Sequence, residues 1–284
     1  MIYISTACVK HNKISDSVKE LAENGFLNIE LSGGTEYYKG YVDDLLELQK
    51  EYKINYICHN YFPPPKEHFV LNMASLDDDI FNRSLEHIKS SIDLSKKLGA
   101  KLFAYHAGYF IDIKVKEIGK NLSKVQINDK SIAIDRFVKA YKELKEYASD
   151  LELYVENNVV SKANAEKYDN DNIFMLTNFS EYTDLKKQVD FNFLFDLAHL
   201  KVTCNSFNLD FEYQVENMIN TTEYLHLCDN NSIADEHKCF TEESRWIDIL
   251  KKYDLSKKII TLETHGTIEE IKESYNIIIN RLKV

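Results

Sequence analysis

Residues 191–200 read FNFLFDLAHL: an almost unbroken apolar run that stops on Asp196 and passes directly into Leu197, Ala198, His199 and Leu200. A strand with one wet face alternates apolar and polar residues, whereas a strand buried on both faces does not, and sheets of the latter kind are parallel. The same unit recurs along the chain. Comparable β-branched and aromatic runs lie near 2–8, 26–31, 54–59, 101–106, 152–157, 223–228 and 258–263. Segments with helical periodicity separate them, at 15–24, 41–52, 77–98, 131–149, 242–252 and 267–281. In the third of these, Leu85, Ile88, Ile92 and Ser95 give the i, i+3/i+4 stripe of one buried face, and Gly99 supplies the helix stop. The helices after the fifth and sixth strands are the hardest to delimit. Eight strands, each followed by helical or loop material, predict an α/β fold: a single (β/α)8 TIM barrel forming one domain over residues 1–284. The competing arrangement is a doubly wound open sheet. Its dinucleotide-binding version is weakened because no G-x-G-x-x-G follows a strand, and G-x-x-x-x-G-K-[ST] is absent too.

Composition narrows the class of protein. The 284 residues carry 35 Lys+Arg against 46 Asp+Glu, a formal net charge of -11, with 44% hydrophobic and 29% charged residues. That balance supports a packed core and excludes wholesale disorder. No apolar run approaches the ~18–20 residues that span a bilayer, and Met1–Val9 lacks both a basic leader and a small-residue cleavage site. The expectation is therefore a cytoplasmic protein with no membrane association. Cys8, Cys58, Cys204, Cys228 and Cys239 are odd in number, scattered, and form no C-x-x-C pair, so they read as reduced thiols. The acidic balance disfavours a nucleic-acid partner, because contacts to phosphate supply most non-specific affinity.

A barrel brings the C-terminal ends of its strands to one mouth, where active sites are built. Those ends are rich in histidine and carboxylate: His59, His106, Glu156, Asp196 with His199, His226, Asp235 and His237, and Glu263. Glu156, Asp196, His226 and Glu263 are separated by 40, 30 and 37 residues, about one βα unit each. Burying charges unpaired costs several kcal/mol per ion, so such a set cannot share one mouth unaided. Divalent cations resolve the conflict by neutralising carboxylates and taking imidazole nitrogens as ligands. The mixed nitrogen and oxygen donors suit Zn2+ or Mn2+, and equally Co2+ or Fe2+, better than Ca2+. Nine candidates exceed the needs of one ion, so one to three ions are expected.

Any one of these residues alone has a bland explanation. A strand-end histidine is more often satisfied by its neighbours than by a metal, and an Asp after a strand is commonly a helix N-cap. Joint placement is what argues for chemistry: six of the nine histidines fall in this one register. His87, mid-helix, and His11 and His68, in loops, read as non-ligands, while His265 reads as a substrate contact or cap. Tyr61, Phe62, Tyr109 and Phe110 follow two of the proposed ligands and are placed to wall a pocket, beside a loop stiffened by Pro63, Pro64 and Pro65. Glu30 with Gly33 and Gly34 reads as a tight turn with an acidic neighbour, and Lys201, Lys238 and Arg245 as ordinary surface cations.

The strand-end set resembles that of the xylose isomerase-like barrel superfamily, in particular its sugar phosphate isomerase/epimerase branch, which is related to the apurinic-site endonucleases. The resemblance runs over essentially the whole chain. In the isomerases and epimerases a Glu, an Asp, a His and a Glu on strands five to eight hold one metal, and Glu156, Asp196, His226 and Glu263 stand in that order. The endonucleases add further histidines and an Asp-x-His and use three zinc ions. His59, His106, His199, Asp235 and His237 match those additions. The stretches HNYFPPP, FVLNMAS, YVENN and FDLAHLKV are also similar to barrel proteins of bacterial surface-polysaccharide gene clusters. Two departures favour the isomerase branch: Lys238-Cys239-Phe240-Thr241 replaces the glycine-rich turn after Asp-x-His, and IELSGG replaces the basic loop that reaches into the minor groove. What the resemblance implies is a metal-dependent isomerase or epimerase acting on a small carbohydrate. In it, Glu156 and Glu263 exchange the α-proton through a metal-stabilised enediolate, and His106, His199, Tyr61 and His265 contact substrate. The alternative it implies is a zinc-dependent phosphodiester hydrolase. Barrels of this type often form homodimers, and that assembly stays open.

Overall fold

Eight short strands frame the computed structural model, which describes residues 1–284. They are β1 (Ile2–Ser5), β2 (Asn28–Leu31), β3 (Asn55–His59), β4 (Leu102–His106), β5 (Glu152–Glu156), β6 (Asn192–Asp196), β7 (Tyr224–Leu227) and β8 (Ile259–Leu262). Each lies parallel to the next, and β8 returns to β1 through the pairs Ile2–Ile260, Tyr3–Thr261 and Ile4–Leu262, closing the barrel. The helices around it are α1 (Ile14–Glu23), α2 (Tyr41–Tyr52), α3 (Asp78–Lys97), α4 (Lys130–Ala148), α5 (Lys162–Lys167), α6 (Phe179–Gln188), α7 (Leu197–Phe207), α8 (Phe211–Met218), α9 (Arg245–Leu250) and α10 (Ile268–Arg281). The expected (β/α)8 barrel is present, and the open sheet is not.

Local chemistry sets these boundaries. Asp77 caps α3 by accepting from the backbone N–H groups of Asp79 and Ile80, and Gly99, just past its end, takes φ +72. Between those limits Leu85, Ile88 and Ile92 are buried, each burial contributing about 1.5–3 kcal/mol. The first strand is shorter than the run 2–8 suggests. Ser5 Oγ accepts from Ala7 N and turns Thr6–Cys8 into a single 3-10 turn. The helix expected at 242–252 is trimmed to α9. The obscure region after β5 and β6 resolves into four helices, α5 to α8.

Side chains two apart on a strand share a face, and this period makes two layers inside the barrel. Tyr3, Ile57, Leu102, Ala104, Tyr154, Leu194 and Tyr224 form a buried cluster of their own and plug the bore. Two residues beyond Ile57, Ala104, Tyr154, Leu194 and Tyr224, on the same faces, come His59, His106, Glu156, Asp196 and His226. The apolar plug is thus the floor under the polar layer. A separate core of 62 buried residues fills the space between the sheet and its helices. No helix is long and apolar enough to cross a membrane, and all five cysteines are unpaired.

Candidate metal centre and active site

Glu156, at the end of β5, is fully buried and sits where four imidazoles converge. Its Oε2 lies 2.7 Å from His59 Nε2 and 3.2 Å from His106 Nδ1. Its Oε1 lies 3.5 Å from both His199 Nδ1 and His226 Nδ1. His226 Nδ1 is also 3.5 Å from Glu263 Oε2, and donor atoms of Asp196, His226 and Glu263 lie within 4.8 Å of one another. Two ligands on one ion at about 2.1 Å stand roughly 3.4 Å apart in a tetrahedral site, so the 3.5 Å separations of His226 Nδ1 from Glu156 and Glu263 suit a shared cation, while the 2.7 Å pair of His59 and Glu156 is a hydrogen bond. Glu156 Oε1, Asp196 Oδ2 and His226 Nδ1 are buried and make no hydrogen bond. That pattern of orphaned donors from three strands fits a divalent ion.

Asp196 does two jobs from one carboxylate. It is the N-cap of α7, where its Oδ1 accepts from His199 N at 2.7 Å, which leaves Oδ2 free. Asn157 staples its backbone from both sides, donating to Asp196 O at 2.9 Å and accepting from Asp196 N at 2.7 Å. The cap also aims the first turn of α7, so that His199 turns back into the mouth.

A second group of donors gathers round Asp235. His199 Nδ1 lies 2.8 Å from the Asn157 carbonyl, and His237 Nδ1 lies 3.1 Å from the Glu263 carbonyl. A carbonyl only accepts, so both rings carry a proton on Nδ1, and a cation at Nε2 would take the place of the proton that Asp235 holds there. Those Nε2 atoms face the same oxygen, Asp235 Oδ2, at 3.2 and 2.9 Å. Two imidazole nitrogens and one carboxylate oxygen make a donor set for a further cation.

Electrostatics show the tension in this layer. Burial pushes the Asp196 carboxyl up to about 6, despite the pull of His199. Burial acts the same way on Glu156 and Glu263, yet the surrounding imidazoles outweigh it and hold both carboxyls well below the usual range. His106, by contrast, is pushed down to about 4 by burial. Burial works against the charged His237 ring, but Asp235 prevails and raises it to about 9.

Above this layer opens a cavity of about 600 Å3. His106, His199, Asp235, His237 and Glu263 line its floor, and Tyr61, Tyr109, Phe174, Ile113, Ile118 and Leu122 its walls. Lys120 is the one lysine or arginine on the lining. The walls are held in place from below: Asn158 Nδ2 donates to the carbonyls of Ala107 and Met175, tying β4 to the segment that carries Phe174. His59, Glu156, Asp196 and His226 lie behind the floor. His265 is exposed, its ring 5.0 Å from that of His237, and does not reach the cavity. His11 pairs with Glu20, and His87 packs on Phe69, both away from the mouth. Lys201 is engaged by Asp229 at 2.5 Å rather than free for an anion.

Glu30 is where sequence reasoning fell short. Far from ornamenting a turn, it is fully buried inside the barrel. Tyr224 Oη, Thr261 Oγ1 and Ser32 Oγ donate to its carboxylate, and His226 Nε2 lies 3.1 Å away. A signal was present: in 28–32 the apolar residues Ile29 and Leu31 alternate with Asn28, Glu30 and Ser32, which assigns the carboxylate to the opposite, inner face.

The geometry can be set beside known proteins. In structure, the chain matches a D-tagatose 3-epimerase-like protein at TM-score 0.73 and 20% identity, covering 99% of this chain and 96% of that one. It matches a D-psicose 3-epimerase at TM-score 0.68 and 15% identity, covering 100% and 99%. Endonuclease IV from Thermus thermophilus matches at TM-score 0.62 and 12% identity, covering 98% and 97%. At such identities the likeness speaks for the fold alone. No curated protein matches the chain by sequence. The model of the xylose isomerase-like TIM barrel family matches residues 18–281. The chain therefore belongs to the xylose isomerase-like TIM barrel family.

Proposed function

We propose that this protein is a metal-dependent isomerase or epimerase of a sugar or sugar phosphate, working by proton transfer next to a carbonyl. The observation that carries the reading is the cavity: a walled pocket of about 600 Å3 with Glu263 on its floor and a single lysine on its lining. Such a pocket suits a small polar substrate. Duplex DNA would need many cations along a groove. The sugar epimerases among the structural neighbours support the same reaction class, and five unpaired thiols support a reducing, cytoplasmic setting.

Glu156, Asp196, His226 and Glu263 would hold the ion, with His59 and His106 beside Glu156. A divalent ion there would supply Lewis-acid polarisation of a carbonyl and its adjacent hydroxyl. Glu263, open to the cavity, takes the proton from the neighbouring carbon. Glu156, its Oε2 held by the His59 and His106 nitrogens, is the group assigned to return a proton on the other face. Tyr61, His106 and His199 orient the substrate hydroxyls. Removal on one face and return on the other inverts the carbon.

A second reading rests on the Asp235 group. His199, Asp235 and His237, with His59 and His106, add donors beyond those one ion needs, as a zinc cluster acting on a phosphodiester would use. The two readings part in one experiment. The metal-loaded protein is given ketohexoses in deuterated water and, separately, a duplex with an abasic site. Deuterium entering the carbon beside the carbonyl, lost in Glu263→Gln, supports the epimerase. Strand incision without any sugar exchange replaces it with the hydrolase.

A further inference from the structure

We propose that Glu30 is a positioning residue that fixes the Nε2–H tautomer of His226 and so presents His226 Nδ1 to a divalent ion at the barrel mouth. The proposal rests on the metal-binding part of the function above, but it assigns a role to a residue outside that ligand set.

Glu30 and His226 come from β2 and β7, across the bore, and both are fully buried. His226 Nε2 lies 3.1 Å from Glu30 Oε2. A bare ring nitrogen would turn its lone pair on a carboxylate oxygen, so the proton belongs on Nε2. His226 Nδ1, the other ring nitrogen, makes no hydrogen bond and faces Glu156 Oε1 and Glu263 Oε2. Carboxylate–histidine–metal chains elsewhere orient the ring in this way and raise its basicity as a ligand.

Glu30 is also close enough to be considered a ligand itself, since donor atoms of Glu30, His59 and Glu263 lie within 4.8 Å of one another. Its hydrogen bonding argues otherwise. Tyr224, Thr261 and His226 crowd its Oε2, and Ser32 donates to its Oε1, so every oxygen of the carboxylate is engaged by the protein's own groups. The arrangement reaches a second ligand. Ser32 Oγ is 3.1 Å from Glu30 Oε1, and Ser5 Oγ stands 2.8 Å from Ser32 Oγ and 3.2 Å from Glu263 Oε1. Glu263 Oε1 is thus tied to β1 and β2 while its Oε2 remains on the ion side.

The test uses the full chain loaded with Zn2+. Long-range 15N–1H spectra of histidine-labelled wild type should show His226 protonated on Nε2 and metal-shifted at Nδ1, assigned by its loss in His226→Asn. Calorimetric titration of chelated protein with Zn2+ should show the tightest site weakened about 10- to 100-fold in Glu30→Gln. Ser32→Ala, which removes one support from Glu30, should weaken it several-fold, and serves if Glu30→Gln does not fold. A His226 ring bound through Nε2 overturns the proposal, as do variants that fold and bind Zn2+ like wild type. Wild type that binds no divalent ion overturns the metal-dependent function as well, so the two failures are told apart.

Discussion

Stripping divalent ions from the protein should lower its thermal midpoint by roughly 8 °C, a figure that follows from four atoms and the size of the chain. Glu156 Oε1, Asp196 Oδ2, His226 Nδ1 and Asp235 Oδ1 are buried without hydrogen-bond partners. A buried polar group left unsatisfied costs about 1–3 kcal/mol. Taken near the low end for each of the four atoms, the relief supplied by bound ions is about 4 kcal/mol. That is the stabilisation given by a ligand at about a thousand times its Kd, binding the folded state only. A domain of this size moves about 2 °C per kcal/mol. The assay is differential scanning calorimetry of chelator-treated protein against samples at stepped free Zn2+ or Mn2+, where the midpoint should climb with the logarithm of ion concentration. Asp196→Asn should flatten that climb. A midpoint that stays within about 1 °C of the chelated value at all ion concentrations would refute the argument that these orphaned donors converge on a cation.

Three other outcomes are expected. Burial pushes His87 down to about 4, so the unfolded chain binds more protons than the folded one between about pH 6.5 and 4, and stability held above that window is lost as pH falls through it. His87→Phe should therefore lessen the drop in stability between pH 7.5 and 5 by about 2 kcal/mol in urea unfolding; equal drops in the two proteins would contradict this. Gly108→Ala would place a Cβ 2.3 Å from Ala74 Cβ and 3.0 Å from Ala74 N, and should lose about 1–3 kcal/mol in the same assay, with no loss meaning that the 72–75 segment yields freely. Asp235→Asn should release one ion equivalent by elemental analysis while solvent exchange into a sugar persists, and an unchanged ion count would remove the Asp235 group as a metal site.

The residues most legible in the sequence were those that end an apolar run. Glu156 and Asp196 each stop a strand buried on both faces, and a charge in that place has few bland explanations. Glu30 was missed because Leu31 follows it, so that it reads as one residue inside the run rather than its terminus; only the alternation with Ile29 and Leu31 betrays the face it takes. Among the helices, α3 was clear because a long amphipathic stripe meets solvent on one side. By contrast, α7 was obscure because Leu197, Ala198, His199, Leu200, Val202, Thr203 and Cys204 are all buried, which erases the 3.6-residue contrast that marks a surface helix. Likewise α5 has only six residues, too few for any period to show. Asn157 and Asn158 carried no signal beyond being adjacent polar residues, since their work is done on backbone atoms distant in sequence.

The seven-residue plug beneath the polar layer gives the barrel a dead end. Reactant and product must use one doorway, so neither can queue behind the other, and whatever leaves last decides when the next molecule enters. An analogue lodged under Tyr61 and Tyr109 should accordingly obstruct arrival and departure together, with no rear exit through which a turned-over molecule could drain.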